Sequence, residues 1–443
     1  MKQYFVKTIV IVFAVLFNDL HLSAQYTYQD TLRGSIGKGR AWWDVKHYAI
    51  SIAVDIDNKR IEGFNQLTFE VVEGGQGKIM QIDLQQPMEI SKIEDVKNNN
   101  KPLPFKREGN VYWIDFGEKK LNASKAAADY QAIIIHFKGN PRVALNAPWD
   151  GGWVWAKDEK GRPWVTVACQ GLGASVWYPC KDHQSDEPDK GATLSITAPD
   201  NLVAVGNGRL KEKKAQPGNT ITWKWEVVNP INNYNIVPYI GSYVNWSEVY
   251  KGRGGNLDCS YWVLDYNLAK AKKQFGRDVR PMFDCFEDWF GPYPFYKDSY
   301  KMVETPHLGM EHQSAVAYGN KYLNGYLGSD LSGTGWGTKW DFIIIHETGH
   351  EWFANNITTR DIADMWVHEG FTNYSEVLFV ECRYGKKAAN EYCQGLRQAI
   401  ENNVPVIGAY GVNKEGSGDM YPKGANLLHT IRQVINNDEK FRR

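Results

Sequence analysis

Two histidines and two glutamates form the strongest chemical pattern in this sequence of 443 residues. The spacing H-E-x-x-H occurs as HETGH at 346–350, and Glu369 follows after eighteen intervening residues. On a helix of about 3.6 residues per turn, His346 and His350 lie one turn apart on one face, so both imidazoles can bind one metal ion. Two imidazoles and the Glu369 carboxylate leave a tetrahedral Zn²⁺ one open position for water, which is the arrangement of a catalytic zinc site.

An ordinary surface helix is the alternative interpretation, because H-E-x-x-H also arises by chance. Apolar residues at 342–345 and 352–353 flank the motif and predict a buried helix over about 338–355. Thr338, with Asp341 three residues later, has the form of a capping box at the start of this helix. Unpartnered histidines and glutamates are costly in a buried helix, and a metal ion supplies the partner. The context therefore favours a metal site.

Composition excludes some classes of partner. Fifty-one basic residues balance fifty-one acidic ones, so nothing indicates nucleic acid or an acidic membrane surface as a binding partner. The length and the 43% hydrophobic content are sufficient for two or three cores. The sequence carries no information on oligomeric state.

The first 24 residues have the features of an export signal. Lys2 and Lys7 flank the start, an apolar run covers 8–17, and Leu-Ser-Ala at 22–24 is an acceptable cleavage site. Ten apolar residues are too few to span a bilayer, and no later stretch is a transmembrane candidate. We therefore expect a soluble, exported protein that is periplasmic or extracellular.

Six cysteines are compatible with disulfides in an oxidising compartment, although free buried thiols are an equal alternative for most of them. Their spacing does not match a cysteine-ligated zinc site. Cys382 and Cys393 lie on either side of a predicted helix end at Gly385 and are a possible local pair.

Hydrophobic periodicity divides the chain into two parts. From about residue 40 to 240 the pattern has period two, as at 48–56 and 221–227, and predicts an all-β domain at 25–241 built as an antiparallel sandwich or saddle-shaped sheet. Over 242–443 longer helical segments appear, and an α+β domain is expected. Besides the zinc helix, we predict a strand and an edge segment within 300–318, and helices at 268–290, 366–384 (ended by Gly385) and 422–437.

Further motifs resemble the gluzincin zinc aminopeptidases, peptidase family M1, which include aminopeptidase N and leukotriene hydrolase. Besides HETGHEWF at 346–353 and EGF at 369–371, GMEH at 309–312 resembles the exopeptidase motif of this family. YPKGA at 421–425 resembles the element that carries the family's catalytic tyrosine, and the stretch from Gln170 to Pro188 resembles the end of its first domain. The resemblance covers the chain from about residue 40 onward and implies a thermolysin-like catalytic domain behind the β domain.

The resemblance, together with the chemistry of each residue type, implies roles. One Zn²⁺ per chain, bound by His346, His350 and Glu369, lowers the pKa of its water and polarises the scissile carbonyl. Glu347 is the general base that also protonates the leaving amine, and Tyr421 stabilises the oxyanion. For Tyr421, a simple aromatic residue at a helix start is the competing interpretation.

Four residues are expected to bind the substrate, a peptide with a free N-terminal amine. Glu311, helped by Gln170, is expected to pair with the α-ammonium group, which would make the enzyme an aminopeptidase. Gly309 and Met310 would bind the substrate backbone as an added strand does. An ordinary exposed glutamate is the alternative for Glu311.

Some features depart from the family pattern. His312 and His368 stand where the family usually has asparagine, and we expect His368 to be a supporting or surface residue. Glu376 either orients a zinc ligand or is an exposed helix residue. The chain ends soon after the tyrosine helix, so the catalytic domain is expected to be truncated and to lack the family's C-terminal helical domain. A zinc endopeptidase and a non-catalytic peptide-binding relative remain alternatives.

Overall fold

The computed structural model describes residues 26–443, so the predicted export signal at 1–24 lies outside the described residues. The strands in chain order are β1 (Trp43–Asp55), β2 (Arg60–Val71), β3 (Ile79–Asp83), β4 (Glu89–Asp95), β5 (Lys101–Pro102), β6 (Phe105–Glu108), β7 (Val111–Asp115), β8 (Gln131–Gly139), β9 (Gly152–Lys157), β10 (Pro163–Ala168), β11 (Ala192–Pro199), β12 (Val203–Val205), β13 (Arg209–Gln216), β14 (Thr220–Val227), β15 (Tyr239–Gly241), β16 (Tyr243–Gly252), β17 (Gly255–Leu264), β18 (Tyr300–Glu304), β19 (Gly309–Met310) and β20 (Val316–Tyr318). The helices are α1 (Tyr28–Gly34), α2 (Leu268–Phe290), α3 (Phe342–Gly349), α4 (Trp366–Tyr384), α5 (Lys386–Leu396), α6 (Pro422–Ile435) and α7 (Asp438–Arg442).

The N-terminal part is built from three sheets. A large sheet has the order β13-β14-β11-β1-β2-β8-β4-β5, and smaller sheets have the orders β12-β15-β10-β9 and β3-β7-β6. The period-two pattern of β1 produces this arrangement because Tyr48, Ile50 and Ile52 all point into one core and are at most 1% exposed. The prediction of an antiparallel sheet needs one correction, since β1 and β11 pair in parallel.

The later part is organised around a five-stranded sheet with the order β16-β17-β18-β20-β19. Helices α2, α3, α4 and α5 contribute to a second hydrophobic core together with this sheet. The chain passes from the last strand of the N-terminal sheets, β15, to the first strand of this sheet between Gly241 and Tyr243. The fold is therefore a β-rich N-terminal part followed by an α+β part, as the sequence predicted.

The predicted helix over 338–355 is wrong in both boundaries. Helix α3 covers Phe342–Gly349, and Asp341 is its N-cap, accepting from the backbone N of Ile343 at 3.2 Å. Thr338 lies in a short 3₁₀ turn and Trp340 is extended, so the expected capping box does not form. After Gly349 the chain turns, although His350 keeps helical dihedral angles (φ −64°, ψ −18°).

Other boundaries agree more closely. The helices at 268–290 and 366–384 have the predicted ends, and Gly385 follows the latter with φ 88°. The helix expected to reach 437 ends at Ile435, because Asn436 adopts the left-handed conformation. Within 300–318, the edge strand is β19, while β20 lies between β18 and β19.

The cysteine pairing differs from the expectation. A disulfide joins Cys285 of α2 to Cys382 of α4, and Cys393 is a free, buried thiol. The sequence-local pair was wrong because α2 packs beside α4 and brings a cysteine that is 97 residues away in sequence into contact. Among residues 26–443, no helix combines the length and the apolar character that crossing a bilayer requires.

Candidate active site

Two histidines and a glutamate meet at the end of α3 and the start of α4. The Nε2 atoms of His346 and His350 are 3.3 Å apart, and Glu369 Oε2 lies 3.6 Å and 3.3 Å from them respectively. All three side chains are buried. Helical spacing brings the imidazoles together, and the packing of α3 against α4 adds the carboxylate.

The hydrogen bonds of these residues show that the three groups fit a cation. His350 Nδ1 lies 2.9 Å from the carbonyl oxygen of Phe353, which can only accept, so Nδ1 carries the proton. His346 Nδ1 likewise lies 2.7 Å from Glu376 Oε1. The Nε2 atoms of both rings are left facing Glu369 Oε2, which has no hydrogen-bond donor among the described residues. Two imidazoles and one carboxylate are a ligand set that zinc prefers.

Glu376 is a buried support for His346, and the exposed-helix interpretation is wrong. Its carboxylate also accepts from Asn373 Nδ2 at 2.9 Å and from the Tyr392 hydroxyl at 2.7 Å. His368 is neither a surface residue nor a fourth member of the metal cluster: it is 1% exposed, and its Nε2 accepts from the backbone N of Thr359 at 2.9 Å.

Glu347 lies between the metal cluster and the substrate-binding candidates. Burial raises the pKa of its carboxyl to about 7, although the positive charges of His346 and His350 act in the opposite direction. Its Oε1 lies over Gly309, where an added Cβ would be only 2.7 Å away. Gly309 is thus required for a close approach of the β19 backbone to this carboxylate.

Glu311 is buried beside the same cleft, so the exposed-glutamate alternative is wrong. Its Oε1 accepts from Gln170 Nε2 at 2.5 Å and from the Tyr234 hydroxyl at 3.1 Å. Burial raises its pKa. Because Gln170 donates with its amide nitrogen, its amide oxygen remains available as an acceptor. Asn355 Nδ2 donates to the Glu311 backbone carbonyl at 2.8 Å and fixes the segment.

Tyr421 precedes α6 and faces the carboxylates. Burial first, and then the negative charges of Glu369, Glu311 and Glu347, raise its pKa, so the phenol keeps its proton. Helices α4 and α6 bring Tyr421 to Glu369 because they cross at two glycines. A Cβ on Gly424 would lie 2.7 Å from the Cα of Gly370.

All nine residues predicted for the site lie around one cleft of about 500 Å³. Three carboxylates line it, and among the described residues around it there is neither lysine nor arginine. Sequence reasoning missed Tyr234 and Trp149. Tyr234 lies in a polar run before β15, and Trp149 lies in the loop between β8 and β9, and neither position carries a periodic or motif signal.

The chain is similar to known zinc peptidases. The sequence model of the Peptidase family M1 domain matches residues 277–443. Aminopeptidase N of Canis lupus familiaris is 28% identical over 297 residues, covering 62% of this chain and 29% of the relative. Endoplasmic reticulum aminopeptidase 1 of Homo sapiens is 21% identical over 321 residues, covering 69% and 33% respectively. The chain thus spans about a third of the length of these curated relatives.

Solved structures show the same fold. A mutant M1 zinc metallopeptidase of Deinococcus radiodurans, bound to a Tyr-Ser-Ala substrate, has a TM-score of 0.74 at 18% identity, covering 93% of this chain and 88% of that one. Leukotriene A4 hydrolase of Saccharomyces cerevisiae has a TM-score of 0.70 at 16% identity, covering 97% and 64%. Residues 277–443 thus match the model of the Peptidase family M1 domain, and the chain has the fold of M1 zinc metallopeptidases.

Proposed function

We propose that this protein is a zinc-dependent aminopeptidase that hydrolyses the N-terminal peptide bond of peptides. One observation carries the proposal. One carboxylate oxygen each from Glu311 and Glu347 and one ring nitrogen of His350 all lie within 4.8 Å of one another. A carboxylate suited to an α-ammonium group therefore lies beside the metal cluster. The cleft has three buried carboxylates and neither lysine nor arginine, so a metal ion and the substrate's ammonium group would supply positive charge that the described lining residues provide only through two histidines.

His346, His350 and Glu369 would hold one zinc ion per chain. When bound, zinc supplies a Lewis acid that acidifies water and polarises a carbonyl. Glu376 and the Phe353 carbonyl keep the Nδ1 protons of the two imidazoles in place, so that both Nε2 lone pairs face the ion.

Glu347 would move the proton of the reaction. A carboxyl group whose pKa is raised to about 7 accepts a proton from the attacking water and then delivers it to the leaving amine. Tyr421 keeps its own proton and donates a hydrogen bond to the oxyanion as charge develops on the carbonyl oxygen.

Glu311 and Gln170 would fix the register of the substrate. The Glu311 carboxylate pairs with the α-ammonium group, and the Gln170 amide oxygen accepts a second hydrogen bond from it. Gly309 and Met310 form the outermost strand of the five-stranded sheet, so their free edge can pair with the substrate backbone.

We also propose that the chain is exported and that it comprises a signal peptide at 1–24, a β-sheet domain at 25–241 and a catalytic domain at 242–443. The disulfide between Cys285 and Cys382 supports an oxidising compartment. The mass of the protein secreted by its native host, compared with the mass of the full chain, tests whether residues 1–24 are removed.

An assay with aminoacyl chromogenic substrates tests the function. We expect activity that a chelator abolishes and zinc restores. In Glu347→Gln, kcat should fall about 10³-fold while one zinc per chain is retained, because only the proton transfer is lost. In Glu311→Gln, kcat/KM should fall about 100-fold, because the ammonium loses its charged partner.

N-acetylated peptides discriminate the alternatives. An aminopeptidase leaves them intact, because the acetyl group removes the charge that Glu311 binds. Equal cleavage of free and acetylated peptides would instead show an endopeptidase. Peptide binding without turnover by the zinc-loaded protein would show a non-catalytic relative, and activity that survives both the chelator and Glu347→Gln would overturn the mechanism.

A further inference from the structure

The wall of the cleft is mainly apolar where it is not engaged in the proposed chemistry. Its three carboxylates already have assignments: Glu369 to the metal, Glu347 to proton transfer and Glu311 to the ammonium group. The rest of the wall is formed mainly by apolar and aromatic side chains, among them Trp149, Leu308, Tyr326, Leu331, Leu396 and Ala399. A charged substrate side chain would therefore find no oppositely charged partner there apart from groups that are already paired.

Trp149 is presented to the cleft by a well-braced loop between β8 and β9. The two carboxylate oxygens of Asp150 accept from the backbone N of Leu145 at 2.7 Å and of Asn146 at 2.9 Å. The backbone N of Trp149 donates to the carbonyl of Asn146 at 2.9 Å. Trp149 is nevertheless 62% exposed, so its indole offers a large aromatic surface beside the cleft that the protein does not cover.

This loop lies at the ammonium end of the cleft. Gly151, two residues after Trp149, packs so closely on Leu172 that an added Cβ would lie 2.8 Å from the Leu172 Cβ. Leu172 is two residues after Gln170, which donates to Glu311. The segments that carry Trp149 and Gln170 are thus packed against each other, and Trp149 lines the same cleft as Gln170 and Glu311.

We infer that the cleft selects substrates whose first residue has a bulky uncharged side chain, and that Trp149 is the wall that covers this side chain. The inference rests on the proposed function and adds the class of substrate. Binding of the side chain would bury the exposed indole face and apolar substrate surface together, whereas a carboxylate or ammonium side chain would lose its hydration without a partner.

The zinc-loaded enzyme should be assayed with the p-nitroanilides of leucine, phenylalanine, alanine, glutamate and lysine. We expect kcat/KM for leucine and phenylalanine to exceed that for glutamate and lysine about 100-fold. In Trp149→Ala, kcat/KM for the leucine and phenylalanine substrates should fall about tenfold, while the alanine substrate changes less than about twofold, because its methyl group does not reach the indole.

Leu145→Ala is the matched control. Leu145 lies on the same loop and is 92% exposed, but it does not line the cleft, so its removal should leave all five rates unchanged. A complementary variant, Trp149→Glu, should raise the ratio of lysine to leucine kcat/KM about tenfold. Unfolding midpoints of the three variants within about 2 °C of the parent's would confirm that the loop is intact.

The outcomes separate this inference from the proposed function. If glutamate or lysine substrates are cleaved as well as leucine while N-acetylation still blocks cleavage, the aminopeptidase holds and the specificity is wrong. If Trp149→Ala lowers kcat/KM equally for all five substrates, or lowers it no more than Leu145→Ala does, the role of Trp149 is overturned. If no aminoacyl substrate is cleaved by the zinc-loaded chain, the proposed function and this inference fall together.

Discussion

The two ends of the cleft are built in different ways. At the metal end, His346 and His350 are one turn apart on one segment, and Glu369 comes from the next long helix. At the ammonium end, Gln170 and Glu311 are 141 residues apart and follow β10 and β19, strands of two different sheets. The metal end therefore follows from local spacing, whereas the ammonium end exists only after the β-rich part has packed on the α+β part.

Each end also rests on different buried supports. Behind His346 lies the charged carboxylate of Glu376, and behind Glu311 lies the neutral hydroxyl of Tyr234. Two further buried histidines belong to the segment that carries Glu311: His312 follows it in sequence, and the ring of His307 lies 6.5 Å from the ring of His312. Changes to these supports should affect the two ends independently, and a common effect would break the comparison.

The largest expected effect is a loss of folding stability in acid, caused by His307, which lies four residues before Glu311. Burial lowers the pKa of His307 to about 4, whereas an unfolded histidine has a pKa near 6.5. The unfolded state therefore binds the proton first, and stability is fully present above about pH 6.5 and is lost as the pH falls towards 4. The loss should reach about 3 kcal/mol near pH 4.

Urea unfolding of the parent and of His307→Phe at pH 7.5 and 4.5 measures this effect. Phenylalanine fills a similar volume but cannot titrate, so the variant should lose about 2 to 3 kcal/mol less than the parent between the two pH values. Parallel losses in the two proteins would show that His307 does not carry the acid sensitivity.

A smaller effect is expected at the metal end. Glu376→Gln should weaken zinc binding about 10- to 100-fold, because the amide holds the Nδ1 proton of His346 less strongly than the carboxylate does. Competition with a chromophoric chelator measures the affinity. KM for aminoacyl substrates at saturating zinc should stay within about twofold.

Glu381→Gln on the same helix is the control for this change. Glu381 pairs with Arg432 and does not touch the metal cluster, so its loss should leave zinc affinity unchanged. A rise in KM with unchanged affinity in Glu376→Gln would contradict the independence of the two ends.

The smallest effect is expected at Tyr234. Tyr234→Phe removes one hydrogen bond to Glu311 and should raise KM for free-amine substrates about tenfold without changing zinc affinity. Tyr178→Phe is the matched control, because Tyr178 is buried nearby and donates to the carbonyl of Asn233 instead. Equal KM values for the two variants would mean that the Tyr234 hydroxyl does not support Glu311.

Much of the fold was predictable because it is encoded in local periodicity. The alternation in β1 and the helical segments at 268–290 and 366–384 predicted elements that the structure contains. The boundaries of α3 were not predictable, because the apolar run continues beyond the helix into residues that are buried in a turn. Tertiary contacts hold Asp341 in the N-cap position, since Gln274 and Tyr318 also donate hydrogen bonds to its carboxylate.

The candidate site likewise contains residues that the sequence predicted and residues that it did not. Periodicity and spacing placed His346, His350, Glu347 and Glu369 together, and the resemblance added Glu311, Gln170 and Tyr421 at positions that line the same cleft. Tyr234 meets Glu311 across 77 residues of chain, Cys285 meets Cys382 across 97, and Trp149 joins the cleft only when its loop packs beside the later segments. Such contacts leave no mark in any short window of sequence.

The glycine crossing of α4 and α6 couples the position of a metal ligand to the position of the Tyr421 phenol. A Cβ on Gly424 would lie 2.7 Å from the Cα of Gly370, and a Cβ on Gly370 would lie 3.0 Å from the Cα of Gly424, so a side chain at either position would push the two helices apart. An alanine at either position would separate α4 from α6 and so move Glu369 and Tyr421 apart. The lack of side chains at Gly370 and Gly424 thus sets how closely Tyr421 can approach Glu369.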